Sequence, residues 1–263
     1  MGRRFGQHFL TRKSILDRIA AAACPEIQGD ANTSVIEIGP GRGALTEALL
    51  ERSARVTAIE VDPVLVHYLQ QKFRDALGSG HLALVEGDVL KADLAGLSLA
   101  DAQTAIAGNL PYYITTPILA RVFELSGRWS RAVFLVQSEV AARLAASPGG
   151  RDYGYLSVLT QIHTRPQILF EVPRGAFRPA PKVDSAVVLL EPRDAAQAWN
   201  LPDTTAFLRF ASACFQHKRK TLRNNLAPGY GKERLDALAE GRLRAEQLSV
   251  SQLIALYREL EAA

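Results

Sequence analysis

Val35-Ile36-Glu37-Ile38-Gly39-Pro40-Gly41-Arg42-Gly43 decides the fold. Apolar, largely β-branched residues followed by three glycines in five positions read as a short strand ending in a tight turn. A helical pattern follows over residues 44–51. Glycines let the backbone approach a ligand closely, and a helix N-terminus presents free N–H groups to it. Downstream, strand-like runs at 55–61, 82–86, 105–107 and 132–136 alternate with helical patterns at 64–76, 117–125 and 139–145. That alternation predicts an α/β domain built on a parallel sheet covered on both faces.

Later the pattern changes. Runs 168–172 and 186–190 are joined by a loop containing Pro and Gly, with no crossover helix evident, and predict an antiparallel pair finishing a mixed sheet. Glu191-Pro192-Arg193-Asp194 breaks the strand pattern, and from about residue 204 the chain reads as short helices. The expected domains are 1–193, opening on an N-terminal segment and helix over 1–33, and a small helical domain at 194–263.

The 263 residues are 48% hydrophobic, as a packed globular protein requires. No apolar stretch reaches the roughly 20 residues of a membrane span. The pattern after Ser14 includes Asp17 and Arg18, which suits an amphipathic helix rather than a secretory signal, so a cytoplasmic protein is expected. Cys24 and Cys214, the two cysteines, stand in no metal-ligand spacing, so two ordinary thiols and no metal are expected. The net charge of +4 is concentrated. Arg3, Arg4, Arg12 and Lys13 form one basic cluster, Lys218, Arg219, Lys220 and Arg223 another, and Arg178 and Lys182 flank a proline-rich turn. Such clusters suit nucleic-acid phosphates.

Three strand ends carry candidate ligand-binding groups. Gly39 and Gly41 lie in the first turn, Glu60 about 20 residues on, and Asp88 after the third strand. A carboxylate at the end of the second strand can accept both ribose hydroxyls, and one at the third can accept an adenine amino hydrogen. The third glycine falls one residue early for the Gly-x-Gly-x-x-Gly nicotinamide fingerprint, a spacing that resembles the methyltransferase loop.

Asn109-Leu110-Pro111-Tyr112 follows the fourth strand. An adenine amino nitrogen is a poor nucleophile because its lone pair is delocalised into the ring. The Asn109 side-chain oxygen and the Leu110 carbonyl can accept its two N–H bonds and favour pyramidal nitrogen, a stabilisation felt most in the transition state. Pro111 fixes the turn and Tyr112 offers a ring for stacking. Phe177, in an extended proline-rich loop, is a candidate for the other face of a flipped base, or else a core residue.

The chain resembles the small-subunit ribosomal RNA adenine dimethyltransferase family. The resemblance is carried by Arg4-Phe5-Gly6-Gln7-His8-Phe9-Leu10, by 36–46, by 109–112, by 137–141, by 153–158, by 177–186 and by 218–226. It implies a Rossmann-like S-adenosylmethionine-dependent methyltransferase fold with a small C-terminal helical, RNA-binding domain. The implied product is N6,N6-dimethyladenosine at two neighbouring positions, made from S-adenosylmethionine within an immature ribosomal particle by a monomer that contacts no membrane. Gln7, His8, Leu10, Gly39, Glu60, Asp88 and Asn109 would line the cofactor site, and Tyr112 and Phe177 would sandwich the base. Relatives often carry Asn where this chain has His8, and many carry Asn in place of Tyr113. A DNA adenine methyltransferase, with a related turn, and an assembly factor whose binding outweighs methylation are the rival readings.

Overall fold

The computed structural model describes residues 8–25, 33–53, 55–97, 104–125 and 127–262. Gln7, Arg3 and Arg4 lie outside the described residues. The chain divides into two compact units, one formed by Met1–Ala141 with Pro166–Pro192, the other by Ala142–Arg165 with Arg193–Ala263. The sequence reading divides the chain between 193 and 194; in the structure residues 142–165 join Arg193–Ala263 in the second unit.

In the first unit the elements run β1 (Phe9–Leu10), α1 (Lys13–Ala23), β2 (Ser34–Ile38), α2 (Ala44–Leu50), β3 (Arg55–Glu60), α3 (Pro63–Lys72), α4 (Arg74–Gly78), β4 (Leu82–Glu86), β5 (Ala105–Asn109), α5 (Thr115–Glu124) and β6 (Arg131–Gln137). After α6 (Ser138–Leu144) and α7 (Tyr155–His163) come β7 (Thr164–Val172), β8 (Phe177–Arg178) and β9 (Ser185–Pro192). Seven strands form one sheet in the order β4-β3-β2-β5-β6-β9-β7. The β2–β3, β3–β4, β2–β5 and β5–β6 pairings are parallel, whereas β9 runs antiparallel to β6. The mixed, mostly parallel sheet is the expected one. The pattern over 64–76 is interrupted: α3 is capped by the Asp62 carboxylate on the Val64 N–H at 2.9 Å, opens on Pro63, and stops at Phe73 before α4 begins.

Burial follows from position in the sheet. Central β5 and β6 are apolar on both faces and almost wholly buried, as strands covered on both sides must be. The chain proceeds outward from β2 through β3 to β4, then crosses back to β5 on the other side of β2. Adjacent β2 and β5 therefore mark the topological switch point, where such sheets open a crevice at the carboxyl ends of their strands. Gly39 follows β2, and Asn109 ends β5.

A second, two-stranded sheet brings the start of the chain to the proline-rich loop. Phe9 pairs with Arg178 and Leu10 with Phe177. The Thr11 N–H and hydroxyl both reach the Ala176 carbonyl, at 3.0 and 3.1 Å.

The second unit is helical. It contains α7, α8 (Ala195–Trp199), α9 (Thr204–Cys214), α10 (Leu222–Tyr230), α11 (Lys232–Asp236) and α12 (Val250–Glu261). Asp194, Asp203 and Ser249 cap α8, α9 and α12 through their side-chain oxygens. Tyr153, Phe207, Phe210 and Leu253 are among the residues of its own apolar core. Cys24 and Cys214 are free thiols, buried in their respective units, and burial pushes them up to about 11 and about 12. Among the described residues no helix is long and apolar enough to cross a membrane.

Candidate active site

A cavity of about 390 Å³ opens at the switch point, large enough for a cofactor-sized ligand. Gly39, Glu60, Asp88, Asn109, Tyr112 and His8 all line it, as do Leu10, Gly41, Leu110 and Pro111. The glycine turn and the amide turn, some 70 residues apart in sequence, thus face one space.

Gly39 and Gly41 take φ of +70° and +60°, the left-handed region that a side chain disfavours. A Cβ on Gly41 would come within 3.0 Å of the Phe9 ring. The turn is held from below by Glu60. Its Oε2 accepts the Gly41 N–H at 3.1 Å, and its Oε1 accepts the N–H groups of Val61 and Asp62, both at 3.0 Å. Burial raises the Glu60 pKa, and these three N–H groups oppose the rise. With four lone-pair sites on a carboxylate, three bonds leave room for one further hydroxyl rather than the two expected from sequence. Asp88 accepts the Leu90 N–H on Oδ1 at 2.9 Å, and its half-buried side chain borders the cavity.

Asn109 is fixed by an element that precedes it by a hundred residues. Its Nδ2 donates to the His8 carbonyl at 3.0 Å. A carbonyl can only accept, so the amide orientation is determined and Oδ1 is the free end. Among the described residues nothing donates to Asn109 Oδ1 or to the Leu110 carbonyl. The turn itself is rigid. Pro111 has φ of −60°, and its carbonyl accepts both the Ile114 N–H and the Thr115 hydroxyl at 3.1 Å. The Tyr112 hydroxyl pairs with the Ser185 hydroxyl at 2.7 Å. Its ring stacks with that of His8, centroids 5.9 Å apart and planes 27° apart. Nδ1 of His8 donates to the Pro179 carbonyl at 2.9 Å.

Phe177 is elsewhere. It is 0% exposed, belongs to the apolar core with Leu10 and Val187, and does not line the cavity. Of the two places the sequence leaves open for it, a base face or the core, the ring occupies the core, where full burial of a Phe contributes about 2–3 kcal/mol. Its neighbour Arg178 is exposed on the cavity rim instead. The rim also carries Tyr113, noted from sequence only as a departure from relatives, and Arg42, while Phe9 lines the cavity; Arg42 and Phe9 were given no role from sequence, and Phe9 is brought there by the non-local pairing of β1 with β8.

The other basic candidates differ in availability. In the first unit Arg12 and Lys182 are exposed, and Lys13 forms an exposed pair with Asp17 at 3.3 Å. In the second, Lys218 donates to the Arg151 carbonyl at 2.8 Å. Arg223 is engaged by both oxygens of Asp236, so its charge is already answered within the unit. Exposed Arg219 and Lys220 carry no side-chain partner among the described residues.

Glu37 also borders the cavity, 1% exposed, and accepts a 2.6 Å hydrogen bond from the Thr46 hydroxyl. Burial pushes its carboxyl up to about 7; Thr46 opposes the rise and Glu60 adds to it. A raised native value means that the folded protein keeps a proton which the unfolded chain has already released. The corresponding stability is complete below the ordinary carboxylate value of 4.5 and is lost as pH rises through about 7. Glu37→Gln, which cannot ionise, is expected to flatten the fall in Tm between those pH values. Parallel Tm–pH curves for the two proteins would contradict the assignment.

Open amide and carbonyl acceptors at the switch point of a Rossmann-like sheet mark this protein as an α/β methyltransferase. Comparison with known proteins narrows the class. Residues 1–262 match the family described as ribosomal RNA adenine dimethylase, and the chain belongs to that family. The ribosomal RNA small subunit methyltransferase A of Pseudomonas putida is 39% identical over 259 residues, 98% of this chain and 94% of that protein. The protein of the same name from Pseudomonas aeruginosa is 40% identical over 259 residues, with the same coverage. A crystal structure of a dimethyladenosine transferase from Plasmodium falciparum shares the fold, with a TM-score of 0.79 at 24% identity over 97% of this chain and 98% of that one. The 23S rRNA methyltransferase ErmE gives 0.65 at 28% identity over 94% and 98%.

Proposed function

We propose that this enzyme transfers methyl groups from S-adenosylmethionine to N6 of two adjacent adenosines in small-subunit ribosomal RNA, within an immature ribosomal particle, as a cytoplasmic monomer. The observation that carries the reading is the Asn109 turn: two acceptors that meet no donor among the described residues, held rigidly at the lip of the glycine-lined cleft. Gly39 and Gly41 add no side chains of their own to the cleft, Glu60 retains one acceptor position, and Asp88 borders the same space, a donor and acceptor set suited to a nucleoside with an amino acid tail. When bound, the cofactor supplies an electrophilic methyl group on a sulfonium.

The chain's own residues then act on the adenine. Asn109 Oδ1 and the Leu110 carbonyl accept the two amino hydrogens and draw the nitrogen toward pyramidal geometry. Tyr112, anchored through Ser185, supports the ring by stacking, worth about 1–3 kcal/mol per base. A separate base is not needed for the first step, since the methylated ammonium is strongly acidic. Exposed Arg12, Lys182, Arg219 and Lys220 are the cations offered to RNA phosphates. Identities of 39–40% over nearly the full chain with small-subunit enzymes, against 28% with the 23S enzyme, favour the small-subunit RNA.

The test is incubation of purified protein and S-adenosylmethionine with small-subunit particles from cells lacking the modification, naked 23S RNA and duplex DNA. Four methyl groups on two adjacent adenosines of the particle are expected by mass spectrometry. Methylation confined to 23S RNA or DNA would contradict the assignment.

A further inference from the structure

Tyr113 sits between the anchored Tyr112 and Ile114 in a 3-10 turn at the mouth of the cavity. It is 62% exposed, whereas its neighbour Tyr112 is half-buried and tied at both ring and hydroxyl. Among the described residues Tyr113 makes no side-chain hydrogen bond and no ring contact. A single exposed Tyr needs no explanation by itself. Its place supplies one: the Pro111 carbonyl, bonded to Ile114 and Thr115, fixes the backbone beneath it, so the ring stands on a rigid rim. Exposed Arg178 lines the same cavity, with Nη1 donating to the Phe177 and Gly175 carbonyls, which orients the guanidinium.

A base drawn into this pocket remains tethered to its chain. The nucleotides on either side of it must therefore lie at the mouth, where an unpartnered aromatic face and an arginine are found. We propose that Tyr113 is a positioning residue that stacks on the base flanking the target adenosine, with Arg178 beside the intervening phosphate. The proposal rests on the methylation reading, and deepens it. When the first adenosine of an adjacent pair occupies the pocket, the second is a flanking base; the same platform then serves each in turn. Stacking is indifferent to base identity, so the contact holds register without dictating sequence.

The experiment compares wild-type, Tyr113→Ala and Tyr113→Phe proteins on small-subunit particles reconstituted with intact RNA, or with RNA carrying an abasic nucleotide on the 5′ or the 3′ side of the target. Particle affinity and product formation are read in the same samples. Tyr113→Ala is expected to weaken affinity and raise KM about 5- to 140-fold on intact RNA, the range that loss of one stacked base implies, with kcat within about threefold. Tyr113→Phe is expected to restore wild-type affinity. On one of the two abasic substrates the difference between wild type and Tyr113→Ala should vanish. An unchanged affinity in Tyr113→Ala, or a penalty that persists undiminished on both abasic substrates, overturns the proposal while wild-type turnover leaves the methylation reading standing. An affinity loss cancelled by an abasic site, in samples where wild type forms no dimethyladenosine, upholds Tyr113 and overturns the methylation reading.

Discussion

Asn109→Ala is expected to lower kcat for methyl transfer by about 100- to 1000-fold, the loss typical when one preorganised group aimed at developing charge is removed. The substitution deletes the free Oδ1 and also the 3.0 Å bond to the His8 carbonyl. That second loss costs about 1 kcal/mol of stability and shifts Tm by only a few degrees, so the kinetic defect is not an unfolding effect. Asn109→Asp separates the two roles. It keeps acceptor oxygens but has no N–H for the His8 carbonyl, and it brings a charge next to that oxygen. Its expected rate lies between those of wild type and Asn109→Ala, with the greater loss of stability. Single-turnover kinetics on unmodified particles, with thermal denaturation of each variant, check both statements. Equal single-turnover rates in wild type and Asn109→Ala would remove Asn109 from the chemistry.

The second large effect is structural and lies one residue earlier. Gly108 is buried in β5, and a Cβ built on it would meet the Ile38 carbonyl of β2 at 2.5 Å. Backbone cannot swing aside as a side chain can. Gly108→Ala must therefore push apart the ends of the two strands that carry the glycine turn and the amide turn. Overpacking of this kind costs about 1–3 kcal/mol, sometimes more. At about 2–4 °C per kcal/mol, Tm is expected to fall by roughly 2–12 °C. Activity is expected to fall further than partial unfolding explains, because the two halves of the site separate. Gly78→Ala is the matched control: it lies in α4 with nothing within 4 Å of its would-be Cβ, and should leave turnover within error and Tm unchanged or slightly raised, since Ala is the better helix former. Similar Tm values for Gly108→Ala and Gly78→Ala would show that β2 and β5 yield more readily than their packing implies.

These two positions also show why part of the site is legible in the sequence. The glycine turn and Asn109-Leu110-Pro111-Tyr112 are local signals, each following a strand whose apolar pattern is unmistakable, and the rule that parallel sheets bind ligands at strand ends brings them together. Phe177 is not legible in the same way. Its environment is decided by Leu10, 167 positions earlier, through a two-residue antiparallel pairing that no local pattern announces. A Phe between prolines looks the same from sequence whether it faces a ligand or a core. Arg223 is obscured similarly: it follows the basic run Lys218–Lys220, but the fold brings Asp236 to it from α11. The helix α7 escapes a reading by periodicity because Tyr155-Leu156-Ser157-Val158-Leu159 lacks polar spacing, being buried on nearly every side within the second unit. The break in the 64–76 pattern at Phe73 has a steric counterpart: a Cβ on Gly43 would overlap the Phe73 ring at 2.4 Å, so this glycine serves packing as much as the turn's positive φ.

The most direct measurement is a crystal structure of the protein with S-adenosylhomocysteine and adenosine bound. The adenine N6 is expected within hydrogen-bond distance of both Asn109 Oδ1 and the Leu110 carbonyl, its ring against Tyr112 and its amino group turned toward the cleft floored by Gly39. An adenosine bound in that crystal with N6 paired to neither acceptor, or turned away from the cleft, would contradict the chemistry assigned to this turn.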